Sequence, residues 1–372
     1  MKLRVAFVGL AVGASLAAAC KKKEAVPAAG TGTGAAGGPA GGTAAPTPPP
    51  PRPSQATLQP MPALELPDDP KREAKVALGH ALFFDQRLSV DGSRKCYSCH
   101  MNEQGTGGKD PIAIGAGDKP LTRHSPVLWN AGYWKGAYYW DGRAKTLEDQ
   151  VKGAWAGGNM GVGKDNLDAK AKELGKLKGY QELIAAAFGD KEASADRFAQ
   201  AIADYLRTVQ CTDTAYDRFA KGDKSALTEQ QQRGLDVFFG KGGCTACHTP
   251  PHFSIAMMTE GGAYFNAGVG IAGKPDDQVD KGRMAVTSSE ADWAAFKVPS
   301  LRDVSRSAPY FHDGSAATLE EAVKFMASGG LANKNRSPLF SDKQLTPDEL
   351  ADLIAFLGGL DCPGGLTEPK LP

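Results

Sequence analysis

The stretches Cys96-Tyr-Ser-Cys99-His100 and Cys244-Thr-Ala-Cys247-His248 decide the fold of this chain. Each follows the pattern C-x-x-C-H, which is the signature of covalent haem c attachment. Two thiols on one helical turn can add to the vinyl groups of a haem, and the adjacent histidine can become the proximal iron ligand. The sequence therefore predicts two covalently bound haem c groups, with His100 and His248 beneath the irons.

Two other chemistries use paired cysteines, and the surrounding sequence favours neither. A zinc knuckle needs further Cys or His at matching short spacing. A thioredoxin-like redox pair belongs to a βαβ pattern and requires no histidine. Neither context is present here.

The segments upstream of the two motifs also repeat. Gly79-His-Ala-Leu-Phe-Phe84 precedes the first motif, and Gly234-Leu-Asp-Val-Phe-Phe239 precedes the second. Both read as the apolar end of a helix that leads into a haem-binding turn. A repeat at this long separation indicates two homologous domains rather than a solenoid.

The beginning of the chain predicts an export signal. Residues 1–20 contain Lys2 and Arg4, a short apolar run and Ala17-Ala-Ala-Cys20, which together match a signal peptide with a small-residue cleavage site. Cys20 resembles the lipidated cysteine of a bacterial lipobox, so we predict a lipoprotein; an ordinary signal peptide is the alternative. Residues 21–69 are rich in Ala, Gly and Pro, a composition that predicts a disordered tether.

The remaining residues predict a mostly α-helical fold with two cytochrome c-like haem domains in tandem, residues 70–220 and 221–372. Asp69-Pro70 predicts the start of a helix that ends at Phe84. Three capping boxes, at Thr228, Thr318 and Thr346, predict further helix starts. Strand signals are scarce. The net charge of +1 favours no nucleic-acid partner.

Two cysteines lie outside the haem motifs. Cys211 and Cys362 each follow the end of a predicted helix. In the oxidising compartment that an export signal implies, such a pair is expected to form a disulfide. Two separate buried thiols are the alternative.

Several motifs outside the haem sites resemble the bacterial dihaem cytochrome c peroxidase superfamily, which also contains the methylamine dehydrogenase maturation enzyme MauG. The resemblance covers residues 70–360. It rests on a linked set: residues 79–100, Arg123-His-Ser-Pro-Val-Leu-Trp-Asn130, Tyr139-Trp-Asp-Gly-Arg-Ala144, Leu147-Glu-Asp-Gln150, Lys281-Gly-Arg283 and Ala308-Pro-Tyr-Phe-His-Asp-Gly314.

The resemblance implies an oxidoreductase that reduces hydrogen peroxide to water. Electrons would be relayed from the C-terminal haem to the N-terminal haem, where peroxide is cleaved. It implies that His248 and Met326 ligate the C-terminal iron, and that Trp140 lies between the haems. Met257, Met258 and Met284 compete with Met326 as ligands.

The chain departs from the family pattern at the first haem. The loop of residues 108–119 holds no histidine, and the family's removable distal histidine matches a position near Ala116. The family's catalytic acid, which follows the Gln150 position, corresponds to Asn159. An amide can orient peroxide but does not shuttle a proton at neutral pH. Glu148, Asp149 or Gln150 are candidate substitutes.

These departures keep two other functions open. With Met160 as a ligand of the first iron, the protein would be a non-catalytic dihaem electron-transfer cytochrome. A MauG-like oxidase of a partner protein is the other alternative. The loss of the acid weighs against both enzymatic functions, whereas Trp140, Gln150 and Met326 favour a peroxidase architecture.

The resemblance also implies partners and a location. The expected electron donor is a small protein, a cytochrome c or a cupredoxin. The expected location is the periplasmic side of a bacterial envelope, with an N-terminal lipid anchor that favours the outer membrane. A homodimer is an open alternative. The family often binds Ca²⁺ through an Asn side chain, but that position holds His124, which disfavours calcium.

Overall fold

The computed structural model describes residues 57–372. The predicted signal peptide, Cys20 and the tether up to residue 56 lie outside the described residues. Among the described helices, none combines the length and apolar character needed to span a membrane.

The fold is mostly helical, as the sequence predicts. The α-helices are α1 Arg72–Phe84, α2 Leu147–Ala156, α3 Leu167–Leu174, α4 Lys178–Phe188, α5 Ala195–Thr208, α6 Ala215–Ala220, α7 Glu229–Phe239, α8 Ile255–Met258, α9 Met284–Thr287, α10 Leu319–Ala327 and α11 Pro347–Gly358. Strands β1 (Tyr264–Phe265) and β2 (Phe296–Lys297) form one antiparallel pair. Short 3₁₀ turns lie at Gln86–Leu88, Cys96–Ser98, Asn102–Gln104, Ala116–Asp118, Ala131–Tyr133, Lys164–Asn166, Cys244–Ala246, Glu290–Asp292 and Val304–Arg306.

Helix starts follow the predicted caps with one exception. Thr228, Thr318 and Thr346 each accept a hydrogen bond from the third residue of their helix, and each capping box is complete. The prediction for α1 is wrong by two residues, because the cap is Lys71. Asp69 instead accepts a hydrogen bond from the amide of Lys71 in a turn before the helix.

Close helix crossings explain the repeated G-x-x-(L/V)-F-F sequence. Gly79 of α1 lies against the backbone of Ala201 in α5, and Gly234 of α7 lies against that of Asp352 in α11. A β-carbon on Gly79 would stand 2.8 Å from the amide nitrogen of Ile202, which is closer than atoms pack. Each C-x-x-C-H motif therefore follows a helix that crosses a partner helix at a glycine.

The buried apolar residues form two large clusters. The first contains the inner faces of α1, α2 and α5, and the second contains those of α6, α7 and α11. Near each end of the described residues, a segment packs on the cluster formed by the opposite half of the sequence. Residues after Cys362 pack on the first cluster through Leu366, whereas Leu58 packs in the second.

Residues 57–69, which composition assigns to the disordered tether, are ordered instead. Leu58 and Met61 are buried. The amide of Met61 donates to Asp217 at 2.8 Å, and the carbonyl of Pro62 accepts a hydrogen bond from Tyr133. These partners are distant in sequence, so the local composition does not reveal them.

Candidate functional site

The two C-x-x-C-H motifs form the same short 3₁₀ turn, at Cys96–Ser98 and Cys244–Ala246. Burial raises the pKa of the Cys96 thiol to about 12 and that of Cys244 to about 11. Buried thiols that stay protonated suit thioether attachment better than zinc, which binds thiolates. Within residues 57–372, no three His, Cys, Asp or Glu side chains form a metal cluster.

Both motif histidines are oriented in the same way. Nδ1 of His100 lies 3.2 Å from the carbonyl oxygen of Thr106, and Nδ1 of His248 lies 3.0 Å from that of Phe253. A ring N–H that donates to a carbonyl leaves Nε2 free to bind a metal. Burial lowers the pKa of His100 to about 4 and also lowers that of His248. Both imidazoles are therefore neutral, as iron ligation requires.

A cavity of about 280 Å³ opens above the second motif. Cys244, Cys247 and His248 line it on one side, and Met326 of α10 lines it on another. Most of the other lining residues are aliphatic or aromatic. An apolar cavity that contains two thiols, a free imidazole nitrogen and a thioether has the donor set of a His/Met-ligated haem c.

The competing methionines lie elsewhere. Met257 packs against Tyr133, Met284 packs beside Trp293, and Met258 is 42% exposed. Among the described residues, Met326 is the methionine that lines this cavity. The geometry thus favours Met326 over the three alternatives.

The cavity extends to Trp140, which is bonded to both halves of the molecule. The indole N–H donates to the carbonyl of His124 at 2.9 Å. The carbonyl of Trp140 accepts a hydrogen bond from the amide of Lys297 at 2.8 Å. Both of these neighbours line the same cavity as Trp140.

His124 and Lys297 hold equivalent positions in a second internal repeat, which sequence reasoning missed. Pro126-Val-Leu-Trp-Asn130 and Pro299-Ser-Leu-Arg-Asp303 share the pattern P-x-L-x-(Asn/Asp), and His124 and Lys297 each precede the proline by two residues. The backbone of the first proline lies beside the His100 ring, and that of the second lies beside the His248 ring. The shared pattern was the signal that could have revealed the repeat.

The side chain of the last residue of each repeat is hydrogen bonded to the backbone of a cysteine. Asn130 and Asp303 both adopt left-handed backbone conformations, which Asn and Asp tolerate. Their side-chain oxygens accept hydrogen bonds of 2.9 Å from the amides of Cys211 and Cys362, respectively. Those two cysteines form a disulfide with a Cα–Cα distance of 5.2 Å, which joins the segment after α5 to the segment after α11.

The chain is similar in sequence to proteins of one family. A family model described as di-haem cytochrome c peroxidase matches residues 73–225. The methylamine utilization protein MauG of Methylorubrum extorquens is 35% identical over 307 residues, which are 82% of this chain and 83% of that protein. The cytochrome c551 peroxidase of Pseudomonas aeruginosa is 36% identical over 317 residues, 82% of this chain and 85% of the relative.

The chain belongs to the dihaem cytochrome c peroxidase and MauG family. The crystal structure of a MauG-like protein associated with microbial copper homeostasis has the same fold, with a TM-score of 0.73 and 29% identity. That likeness covers 84% of this chain and 96% of the other.

Ala116 and Asn159, the two positions at which the sequence predicts a departure from the family pattern, lie next to each other. The amide of Ala116 donates to the carbonyl of Asn159 at 3.1 Å. The loop that contains Ala116 also reaches the first motif, because Sγ of Cys99 lies 3.7 Å from the carbonyl oxygen of Ile114. Ala116 and Asn159 therefore lie side by side, and the loop that contains Ala116 touches the first C-x-x-C-H turn.

The candidate substitutes for the family acid have other partners. Glu148 forms an ion pair of 2.7 Å with Arg207. Asp149 has its carboxylate 3.7 Å from Lys152 at the surface of α2. Gln150 is half-buried, and its backbone carbonyl accepts a hydrogen bond from Tyr139.

Met160, the ligand of the electron-carrier alternative, is buried in the first apolar cluster. A second cavity, of about 460 Å³, lies at the first motif and is lined by Cys99, Arg94 and Asp110 among others. Met160 lines neither this cavity nor the one at Met326.

His124, which the sequence comparison predicts at the family's calcium-ligand position, has a partner for its ring. Nδ1 of His124 lies 2.9 Å from the carbonyl oxygen of Asp110, and the side chain is 6% exposed. Ser307 and Pro309, whose carbonyls could complete a calcium site, line the cavity of the second motif. His124 itself offers no side-chain oxygen, the ligand type that Ca²⁺ prefers, although the charges of Asp110 and Asp313 act on its ring.

Proposed function

We propose that the chain reduces hydrogen peroxide to water, consuming two protons and two electrons for each peroxide and releasing two molecules of water. The electrons come from a small donor protein, a cytochrome c or a cupredoxin. They are accepted at the His248/Met326 site and pass by Trp140 to the His100 site. Each motif, with its crossed helix pair, forms one of two tandem haem domains.

The contacts of Trp140 are the observation that best supports this proposal. Its side chain bonds to the repeat that holds His100, and its backbone bonds to the repeat that holds His248. An aromatic ring fixed from both sides at a junction provides a short, rigid path for electrons. A protein that used its two sites independently would have no need of it.

The bound haems supply the one-electron chemistry and the site at which peroxide is cleaved. The chain contributes the groups that tune them. The Met326 thioether raises the potential of the second site, which suits acceptance of electrons. The carbonyls of Thr106 and Phe253 hold His100 and His248 in the ligating tautomer.

At the first site, Asn159 takes the place of the family acid. Its amide can donate a hydrogen bond to peroxide and orient it. It cannot take a proton from one oxygen and return it to the other, because a neutral amide does not titrate near pH 7. We therefore expect turnover to be limited by proton delivery.

We propose a location on the periplasmic side of a bacterial envelope, with Cys20 as a lipid anchor. The Cys211–Cys362 disulfide supports an oxidising compartment. The test is palmitate labelling of the full chain in a bacterial host, compared with Cys20→Ala. Label in both variants, or in neither, would contradict the anchor.

The function is tested on purified holoprotein. Peroxide is mixed with a reduced cytochrome c or cupredoxin, and donor oxidation is followed spectroscopically. We expect two donors oxidised per peroxide, a ferric spectrum with both high-spin and low-spin components, and a slower rate in Trp140→Phe with both haems retained. Wholly low-spin iron and no donor oxidation would contradict the proposal.

The similarity to MauG favours a second candidate, oxidation of a residue on a partner protein. Both functions use peroxide at the first site, so they differ in where the electrons originate. If peroxide is consumed only when a partner protein becomes oxidised, with no small donor required, the MauG-like function applies.

A further inference from the structure

Lys297 places a buried ammonium group at the junction of the two repeats. Its side chain is 8% exposed, and Nζ donates a hydrogen bond of 2.8 Å to the carbonyl of Ala137. The same atom stands 3.4 Å from the centre of the Trp134 ring. Lysine is rarely buried in this way without a counter-charge.

No carboxylate among the described residues forms an ion pair with Lys297. Among the described residues, the acid whose charge acts on this ammonium is Asp141, which forms no ion pair with it. Oδ2 of Asp141 already accepts hydrogen bonds from Arg123 at 2.6 Å and from Arg143 at 2.8 Å. Burial lowers the pKa of Lys297 to about 7, as expected for an ammonium group that lacks a partner.

The ammonium can donate three hydrogen bonds, and the carbonyl of Ala137 accounts for one of them. Lys297 also lines the cavity that contains Cys244, His248 and Met326. Nζ contacts Ala137 and Trp134, neither of which lines that cavity, so an anion in the cavity can pair with the ammonium only from the side that faces away from the indole ring. A haem brings two such groups, its propionate carboxylates.

We propose that Lys297 binds a propionate of the haem attached to Cys244 and Cys247, and that this ion pair raises the reduction potential of that haem. The assignment rests on the proposed haem site. A propionate favours the ferric form, because its negative charge stabilises the more positive iron. An ammonium that neutralises it favours the ferrous form.

The test is a spectroelectrochemical titration of the holoprotein at pH 6, where the ammonium form of Lys297 predominates. We expect Lys297→Met to lower the reduction equilibrium constant of the low-spin haem at least tenfold, a shift of about 59 mV for one electron. Lys297→Gln should give the same result, which covers the case in which the first variant does not fold.

Lys334→Met is the matched control. Lys334 also stands over an indole ring, 4.4 Å from the centre of Trp293, but its side chain is 47% exposed. Because solvent screens an exposed charge, we expect less than a twofold change in that variant.

The outcomes separate the proposals. A shift in Lys297→Met no larger than in the control, with two haems per chain, overturns the ion pair alone. Loss of the near-infrared methionine–iron band in both Lys297 variants also overturns it, since the residue would then act through Met326. Fewer than two haems in the parent protein overturns the proposed function and this assignment together.

Discussion

Gly234→Ala tests whether the crossing of α7 and α11 requires a glycine. The new β-carbon would stand 2.7 Å from Cβ of Phe356 and closer still to the carbonyl oxygen of Asp352. Contacts between carbon atoms are optimal near 3.5–4.0 Å, so the two helices must separate by about 1 Å. Forced insertion of a methyl group into a packed interface costs about 3 kcal/mol.

Alanine also improves helix propensity, by about 1 kcal/mol relative to glycine. We therefore expect Gly234→Ala to lower the free energy of unfolding by about 2 kcal/mol. Gly358→Ala, at the end of α11, is the matched control, because its β-carbon would have no atom within 4 Å. That variant should be neutral or slightly more stable.

Guanidinium titrations followed by far-ultraviolet circular dichroism measure both variants of the holoprotein. The comparison of midpoints is more secure than extrapolated free energies, because a two-core protein with bound cofactors need not unfold in two states. Midpoints that coincide for Gly234→Ala and Gly358→Ala would refute the crossing argument.

Three further predictions follow from the site and the disulfide. Met326→Leu should convert the second haem from low-spin to an open or water-ligated form and lower its potential; a near-infrared methionine band that survives the substitution would identify another methionine as the ligand. Asn159→Glu should raise peroxide reduction by roughly ten- to a thousandfold by restoring a proton shuttle, whereas an unchanged rate in steady-state assays would show that another group moves the proton. The double variant C211S/C362S should unfold more easily by about 5 kcal/mol, because the bond closes a loop with a sequence separation of 151 residues; equal denaturation midpoints in parent and variant would contradict that estimate.

The sequence was sufficient wherever the information is local. The C-x-x-C-H spacing and the capping boxes at Thr228, Thr318 and Thr346 each lie within a few residues, and each capping box has the predicted geometry. The helix start at Asp69 was wrong because an Asx turn and a helix cap use the same residue types.

Features that depend on distant partners were not predictable. Residues 57–69 are ordered through partners such as Asp217 and Tyr133, which lie far along the chain. The P-x-L-x-(Asn/Asp) repeat is visible in the sequence, but its place beside the two motif histidines depends on contacts between distant loops. The burial of Lys297 follows from the position of Trp134, and nothing in the sequence around Lys297 marks it as an internal residue.

The repeated backbone around Trp140 also bears on the direction in which electrons travel. A symmetric scaffold conducts equally well both ways, and here the carbonyl of His124 holds the indole of Trp140 while the amide of Lys297, at the matching position, holds its backbone carbonyl. In the proposed relay, a one-way preference would therefore come from side chains that differ between the halves: His124 against Lys297, and the thioether of Met326 against the Ala116–Asn159 pair. Exchanging those side chains while keeping the backbone should reverse the preferred direction of electron transfer between the two proposed haem sites.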